Sequence, residues 1–318
     1  MNKKNPNEKF KSKIGGQALI EGIMMKGVNK GAMACRLPTG EIDVEEWDVK
    51  GGKNAPWYRK IPFVRGSVVF VSSLIEGYKY ITKSAEKQGN FDDDDGEEMS
   101  EFEKKLVAKF GDKLMTIMSV IAVIIGVALC LVLFMALPML ITNLLKNVIH
   151  SQMIKTIIEG CIKIALFIGY LAVISKMKSI QRTFEYHGAE HKTIACYEAG
   201  EELTVENVRS KRRFHPRCGT SFLIIVLIIS VLVFSLLTWE NMVIRIVLKV
   251  ALLPLVCGIA YEIIRLAGKY DNVLTRIVSA PGMALQRLTT REPDDKEIEC
   301  AIAALKPCIP QNKEDDQW

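Results

Sequence analysis

Between Tyr186 and Glu198 the chain reads YHGAEHKTIACYE, which places two histidines four residues apart with a glutamate directly before the second. Positions i, i+3 and i+4 share one face of a helix, so His187, Glu190 and His191 project together. Two neutral imidazoles so placed can chelate one divalent ion, and the glutamate between them is a candidate general base, the arrangement of the inverted zinc peptidases. A zinc site needs a further ligand. The motif FHPRCGT offers His215 and Cys218, three residues apart, with Pro216 holding His215 out of helical conformation. His187, His191, His215 and Cys218 together have the composition of a closed structural zinc site, and any three of them would leave a position open for water. Glu262, 71 residues beyond His191, is a further candidate ligand, with an ion pair to Arg265 as the simpler use of its charge. Three of the chain's four histidines fall within these 29 residues. The competing reading is a helix and turn whose histidines only make hydrogen bonds or meet lipid phosphate.

The elements that must position these residues are dominated by apolar segments. The 318 residues are 49 % hydrophobic, with positive mean hydropathy. Met115 to Leu140 runs uncharged for longer than the roughly 20 residues that cross a bilayer. Ile157 to Ser175, Ser221 to Thr238 and Val243 to Ile264 are also apolar enough to span, although Lys163, Arg245 and Lys249 interrupt two of them. Within these spans Glu159 and Lys163 have the spacing of a helical ion pair, and Lys249 has the reach to snorkel. The N-terminus, MNKKNPNEKFKSK, has no apolar signal-peptide core.

Of the 42 basic residues, 20 precede the first span, nine lie between Lys176 and Arg217, and eight follow the last span. The positive-inside rule therefore places both termini and the histidine loop on the cytoplasmic side of a cell membrane. Topology accounts for the net charge of +6 and no nucleic-acid partner is required. The eight cysteines include no CxxC pair and lie in cytoplasmic segments or spans, where thiols stay reduced.

The expected fold is mainly α: a four-helix transmembrane domain of two hairpins, a small α+β cytoplasmic N-terminal region, a cytoplasmic central loop and a helical C-terminal tail. Residues 1–90 hold a β-hairpin about LPTG and an amphipathic helix from IPFVRGSVVF onward, which packs on the membrane domain or lies among headgroups. Residues 91–113 are an acidic linker and lead-in helix, 114–264 the membrane domain with its loop at 176–218, and 265–318 the tail, whose REPDDKEIECAIAAL is a short docking helix. IGGQALIEGIMMKG lacks the spacing of a phosphate loop and reads as a structural turn or a partner contact.

Four quoted segments, GGQALIEGIMMKG, YHGAEHKTIACYE, LTVENVRSKRRFHPRCGTSFL and LQRLTTREPDD, together resemble the YqhQ-like family of bacterial multi-pass membrane proteins. That resemblance implies an inner-membrane location and a metal-dependent character drawn from the same His and Glu pattern. Against the inverted zinc peptidases, only His187, Glu190 and His191 match, without a large soluble catalytic domain. Two functions follow as expectations. One is a metal-dependent hydrolase using zinc at the cytoplasmic face. The other is a non-enzymatic factor that contacts the bilayer and regulates other membrane proteins in translocation, quality control or envelope assembly, the histidine cluster serving as a staple. Four spans without a Gly/Pro-broken pair disfavour a solute carrier. Substrate and oligomeric state are left open.

Overall fold

The protein is described by a computed structural model covering residues 10–49, 56–89, 113–145, 147–237, 241–270 and 272–317. Most of the expected acidic linker therefore lies outside the described residues. The chain opens with four strands, β1 (Gly15–Leu19), β2 (Gly22–Lys26), β3 (Lys30–Arg36) and β4 (Ile42–Asp48), paired antiparallel in the order β1-β2-β3-β4. The hairpin about LPTG is β3–β4. The glycine-rich stretch before it, expected as a turn or contact, is a second hairpin. Its two-residue turn holds Glu21 at φ 46°, and its glycines mask the two-residue alternation by which strands are read.

Both faces of the sheet are covered. Ile23, Met25, Ala32 and Ala34 pack against Tyr186, Ala189 and Ile194 of α5 (Lys178–Glu198) and against Ala301, Ala304 and Leu305 of α10 (Asp295–Leu305). The opposite face, with Leu19, Met24, Met33 and Cys35, receives Tyr80 of α1 (Val64–Lys87), whose ring stacks on Trp47 at 4.6 Å. The C-terminal docking helix thus docks on the N-terminal sheet. Its start is fixed by a reciprocal capping box between Asp294 and Glu297.

Among the described residues, three helices are long and apolar enough to cross a membrane. The first, Val120–Leu144, comprises the end of α2 (Lys113–Leu131), a π-bulge at Val132–Ala136 and α3 (Leu137–Leu144). The others are α4 (Gln152–Ile174) and Ile244–Lys269 of α8 (Met242–Lys269). The remaining apolar helix, α7 (Gly219–Ser235), is shorter than the segment expected to Thr238. Its 17 residues rise about 26 Å, slightly less than a ~30 Å hydrocarbon core. Helices α4, α7, α8 and α9 (Val273–Thr289) share one apolar cluster around Ile224, Ile225, Ala260 and Leu285.

Buried charge inside this bundle is paired across helices. Glu159 on α4, 2 % exposed, bonds Arg245 at 3.0 Å and Lys249, both on α8. The expected Glu159–Lys163 pair gives way to this arrangement, and Lys249 is buried rather than snorkelling. Two cations from a facing helix neutralise and hydrogen-bond a carboxylate that water cannot reach. Glu262 is likewise engaged, by a two-pronged bond from Arg65 on α1, with Arg265 farther away at 3.8 Å. It belongs to the α1–α8 contact and not to the histidine cluster.

The amphipathic helix α1 joins the two halves of the molecule. Its C-terminal half lies on the sheet, where Lys83 and Lys87 pair with Glu45 and Asp43. Its N-terminal half crosses α8 closely enough that a Cβ at Gly66 would stand 2.6 Å from Tyr261 Cβ and 2.9 Å from Gly258 Cα. Leu74, Ile75 and Tyr78 remain exposed, so α1 both packs inside the protein and presents an apolar face outward. Replacing Gly66 by valine should overpack this crossing and cost about 1–3 kcal/mol. In detergent, Gly66→Val should lower the unfolding midpoint at fixed scan rate, whereas Ser73→Ala, elsewhere on α1, should leave it unchanged.

Candidate metal centre

The residues of YHGAEHKTIACYE lie on α5, whose sequence is helical throughout and whose glycine has a local cause. A Cβ at Gly188 would fall 1.9 Å from the Arg291 carbonyl oxygen, so only glycine lets the segment after α9 cross α5 at this level. That crossing is sealed by the Arg291 amide, which donates to the Phe184 carbonyl at 2.8 Å.

The crossing segment orients the first histidine. His187 Nδ1 lies 2.8 Å from the Thr289 carbonyl oxygen at the end of α9, and a carbonyl can only accept, so Nδ1–H is the donor there and Nε2 is the ring atom turned toward the cluster. His191 repeats the device, with Nδ1 2.6 Å from the Arg213 carbonyl oxygen. Its Nε2 is buried and, among the described residues, has no partner in hydrogen-bonding geometry. A buried imidazole nitrogen without a partner is costly unless something binds it. Cys218 completes the group: its Sγ lies 3.1 Å from His187 Nε2, and one ligand atom from each of His187, His191 and Cys218 falls within 4.8 Å of the others.

Cys218 stands at the N-cap of α7, where its sulfur accepts from the Thr220 amide at 3.4 Å. Burial opposes ionisation of this thiol, yet the His187 and His191 rings hold its pKa well below the ordinary thiol value. Burial would also lower the pKa of His187, but the Cys218 sulfur and the Glu190 carboxylate outweigh it and raise it to about 9. The chain therefore favours a thiolate beside the His187 imidazolium, and the thiolate is the form in which cysteine binds metals.

Glu190, 5 % exposed, accepts a hydrogen bond from the Gly16 amide of β1 at 2.9 Å. A side chain at Gly16 would meet this carboxyl, with Cβ 3.0 Å from Cδ. Burial raises the Glu190 pKa against the downward pull of His187 and His191, which moves it toward the range useful for a general base.

His215 is near but turned elsewhere. Its ring centroid is 5.5 Å from that of His191, while its Nε2 accepts from Arg217 at 3.2 Å and lies 3.8 Å from Glu198. The Glu198 carboxylate also receives the Ser12 amide at 2.6 Å, and the Arg217 guanidinium. Burial lowers the pKa of His215. The structure thus brings His187, His191 and Cys218 to one point, with Glu190 on the same helix and His215 in a neighbouring salt-linked network.

Gln286 escaped the sequence reading. From α9 its side-chain oxygen accepts the His215 amide at 2.8 Å, and its Nε2 donates to the His215 carbonyl at 2.7 Å and to Ser221 Oγ at 3.1 Å. A fully buried amide thereby acts as a peptide group for the turn that carries Cys218. One signal was present, a glutamine on the apolar side of an otherwise amphipathic helix, but its partners lie 71 and 65 residues away.

A mainly helical chain, with a small antiparallel sheet, membrane-length helices and a His₂Cys cluster, is the class of protein defined by this geometry. Residues 61–311 match the model of a protein family of unknown function, DUF1385, and the chain belongs to that family. It is similar to the uncharacterized protein YqhQ of Bacillus subtilis (strain 168), with 34 % identity over 296 residues that cover 93 % of this chain and 92 % of the relative. No solved structure matches it.

Replacing Gln286 by leucine leaves the buried His215 amide and carbonyl unpaired, at about 1–3 kcal/mol for each. Gln286→Leu should therefore lower the unfolding midpoint, and alkylation of Cys218 followed by mass spectrometry should proceed faster than in the parent protein. An unchanged Cys218 rate would show that Gln286 does not hold the turn.

Proposed function

We propose that the protein is a metal-dependent hydrolase working at the cytoplasmic face of the cell membrane, with four apolar helices spanning and both termini in the cytoplasm. The observation that carries this reading is the buried Nε2 of His191, without a hydrogen-bond partner among the described residues, converging with His187 Nε2 and Cys218 Sγ. Two imidazoles and a thiolate suit zinc, and three protein ligands leave a fourth position open, as in catalytic zinc sites. A zinc ion held there would supply Lewis acidity toward a carbonyl or phosphoryl oxygen and lower the pKa of water.

The remaining work falls to the chain. The Thr289 and Arg213 carbonyls fix the tautomer and orientation of both rings. The Gly16 amide holds the Glu190 carboxylate, whose free oxygen can take a proton from an attacking water and return it to the leaving group. The His215–Glu198–Arg217 network fixes the turn that presents Cys218 and acts as support in this reading, although His215 has the chemistry of a fourth ligand.

A second reading rests on the same Glu190–Gly16 bond. A carboxylate committed to a strand amide ties α5 to β1, and the cluster would then be a structural staple in a factor that binds other membrane proteins. Metal analysis of the purified protein separates the two. The hydrolase predicts about one zinc per chain, lost in His187→Ala and Cys218→Ala and retained in Glu190→Gln, with Glu190→Gln failing to complement a deletion strain. Retained metal with full complementation by Glu190→Gln favours the staple, and absence of metal from the parent protein overturns the hydrolase.

A further inference from the structure

Helix α9 stands in what the sequence reads as a polar cytoplasmic tail, yet it packs beside the first turns of α7. A Cβ at Gly282 would stand 2.5 Å from Ser221 Cβ, and Leu285 joins Ile224, Ile225 and Ala260 in one apolar cluster. Ile224 and Ile225 lie about 8–9 Å along α7 from Gly219. Helix α1 reaches the same level on α8. A Cβ at Gly258, two residues beyond Ala260 toward the middle of α8, would stand 2.5 Å from the Phe63 carbonyl oxygen, and the Ser67 hydroxyl donates to the Pro254 carbonyl at 2.6 Å. The Phe70 ring meets that of Phe222, in the first turn of α7, at 5.6 Å. Where α7 and α8 cross a bilayer, the start of α1 and the middle of α9 therefore lie below the level at which α7 enters it.

What these two helices show outward suits that level. Along α1 no charge occurs from Gly66 to Ile75, and Val64, Val71, Ile75 and Tyr78, which share one face, are exposed. Arg65, just before this run, turns inward to Glu262. Along α9, Val273, Ile277, Ala280 and Ala284 recur at helical spacing as an exposed stripe. This helix contains no acidic residue, and its exposed Arg276 and Arg287 have the sign that anionic headgroups attract and the length to reach them from below. A protein partner would have to cover two stripes on two separate helices. The lipid that surrounds α7 and α8 is continuous with both stripes and covers them together.

We propose that α1 and α9 are in-plane membrane helices, lying in the cytoplasmic leaflet at the foot of the bundle with their apolar stripes among acyl chains and Arg276 and Arg287 at the phosphates. The partner they fit is an anionic lipid surface. This inference rests on the reading that α7 and α8 span, and it is independent of the hydrolase reading. Its bearing on the candidate metal centre is positional. Helix α9 ends at Thr289, whose carbonyl orients His187. Helix α1 holds the end of the strand that carries Gly16, through Ser84 Oγ, which accepts the Ile20 amide at 3.2 Å. Supports on two sides of the centre are thereby seated on the membrane surface, which fixes the height of the centre above the lipid.

Spin labels on single cysteines test this in the full-length protein, reconstituted into nanodiscs of phosphatidylethanolamine and phosphatidylglycerol. The exposed Cys130 and Cys161 are replaced by serine, and that protein without an added cysteine serves as the blank. Labels at Val71→Cys and Ala280→Cys are compared with Leu255→Cys, exposed on α8, and Thr39→Cys, exposed in the β3–β4 turn. In-plane helices predict a ratio of oxygen to nickel-chelate collision rates at Val71 and Ala280 that is roughly threefold or more above Thr39 and below Leu255, as for side chains about 5–10 Å under the headgroups. A ratio at either site equal to that of Thr39, with Leu255 still high, overturns the proposal and leaves the spans standing. Labels shielded from both reagents report contact with protein, such as a second copy of the chain, and overturn it as well. A low ratio at Leu255 overturns the spanning reading and the proposal with it.

Discussion

Two imidazole N–H groups bonded to two main-chain carbonyls decide what the centre of this molecule can do. His187 donates its Nδ1–H to the Thr289 carbonyl and His191 donates its own to the Arg213 carbonyl, so the two Nε2 atoms are the ones turned toward Cys218. Neither carbonyl belongs to α5. One ends α9 and the other lies in the turn before α7, so the cluster exists only while both segments are docked. Gly188 admits the chain beyond α9, and Gln286 pins the turn. Much of the conserved geometry of a metal site lies in such supports, which set tautomer and basicity before any ion arrives.

The same constraint explains the placement of the N-terminal sheet and C-terminal helix. Each packs its apolar face on α5 and on the other. The helix that carries His187 and His191 is thus enclosed by the two ends of the chain on one side and by the start of the apolar bundle on the other. Helix α1 bridges these halves, gripping the sheet through Tyr80 and the bundle through Gly66 and Arg65. Through Cys218 at the first turn of α7, the site sits at the junction of polar and apolar layers.

Local pattern was enough to read the apolar helices, the β3–β4 hairpin, the C-terminal docking helix and the shared face of His187 and His191, because each is written in periodicity or in short spacing, whereas Cys218 was one of several further candidates with His215 and Glu262, and its meeting with the pair depends on the fold. The first hairpin was hidden since Gly15, Gly16 and Gly22 carry no side chain to alternate. The pairing of Glu159 with Lys249 and Arg245, in place of Lys163, depends on which helices face each other, and no single segment states that. The same holds for Glu262, whose partner Arg65 lies 197 residues away, and for Gln286 and Gly16, which act on the site through backbone groups. Side-chain chemistry was legible in one dimension, while main-chain support required the fold.

The proposed zinc site is built from two imidazoles and one thiolate. X-ray absorption at the zinc edge on the purified, metal-replete protein addresses it directly. Zinc held by His187, His191 and Cys218 should show one sulfur scatterer at about 2.3 Å and nitrogen or oxygen scatterers at about 2.0–2.1 Å with imidazole multiple scattering, the sulfur shell being lost in Cys218→Ser. A first shell without sulfur, or one unchanged by Cys218→Ser, would contradict it.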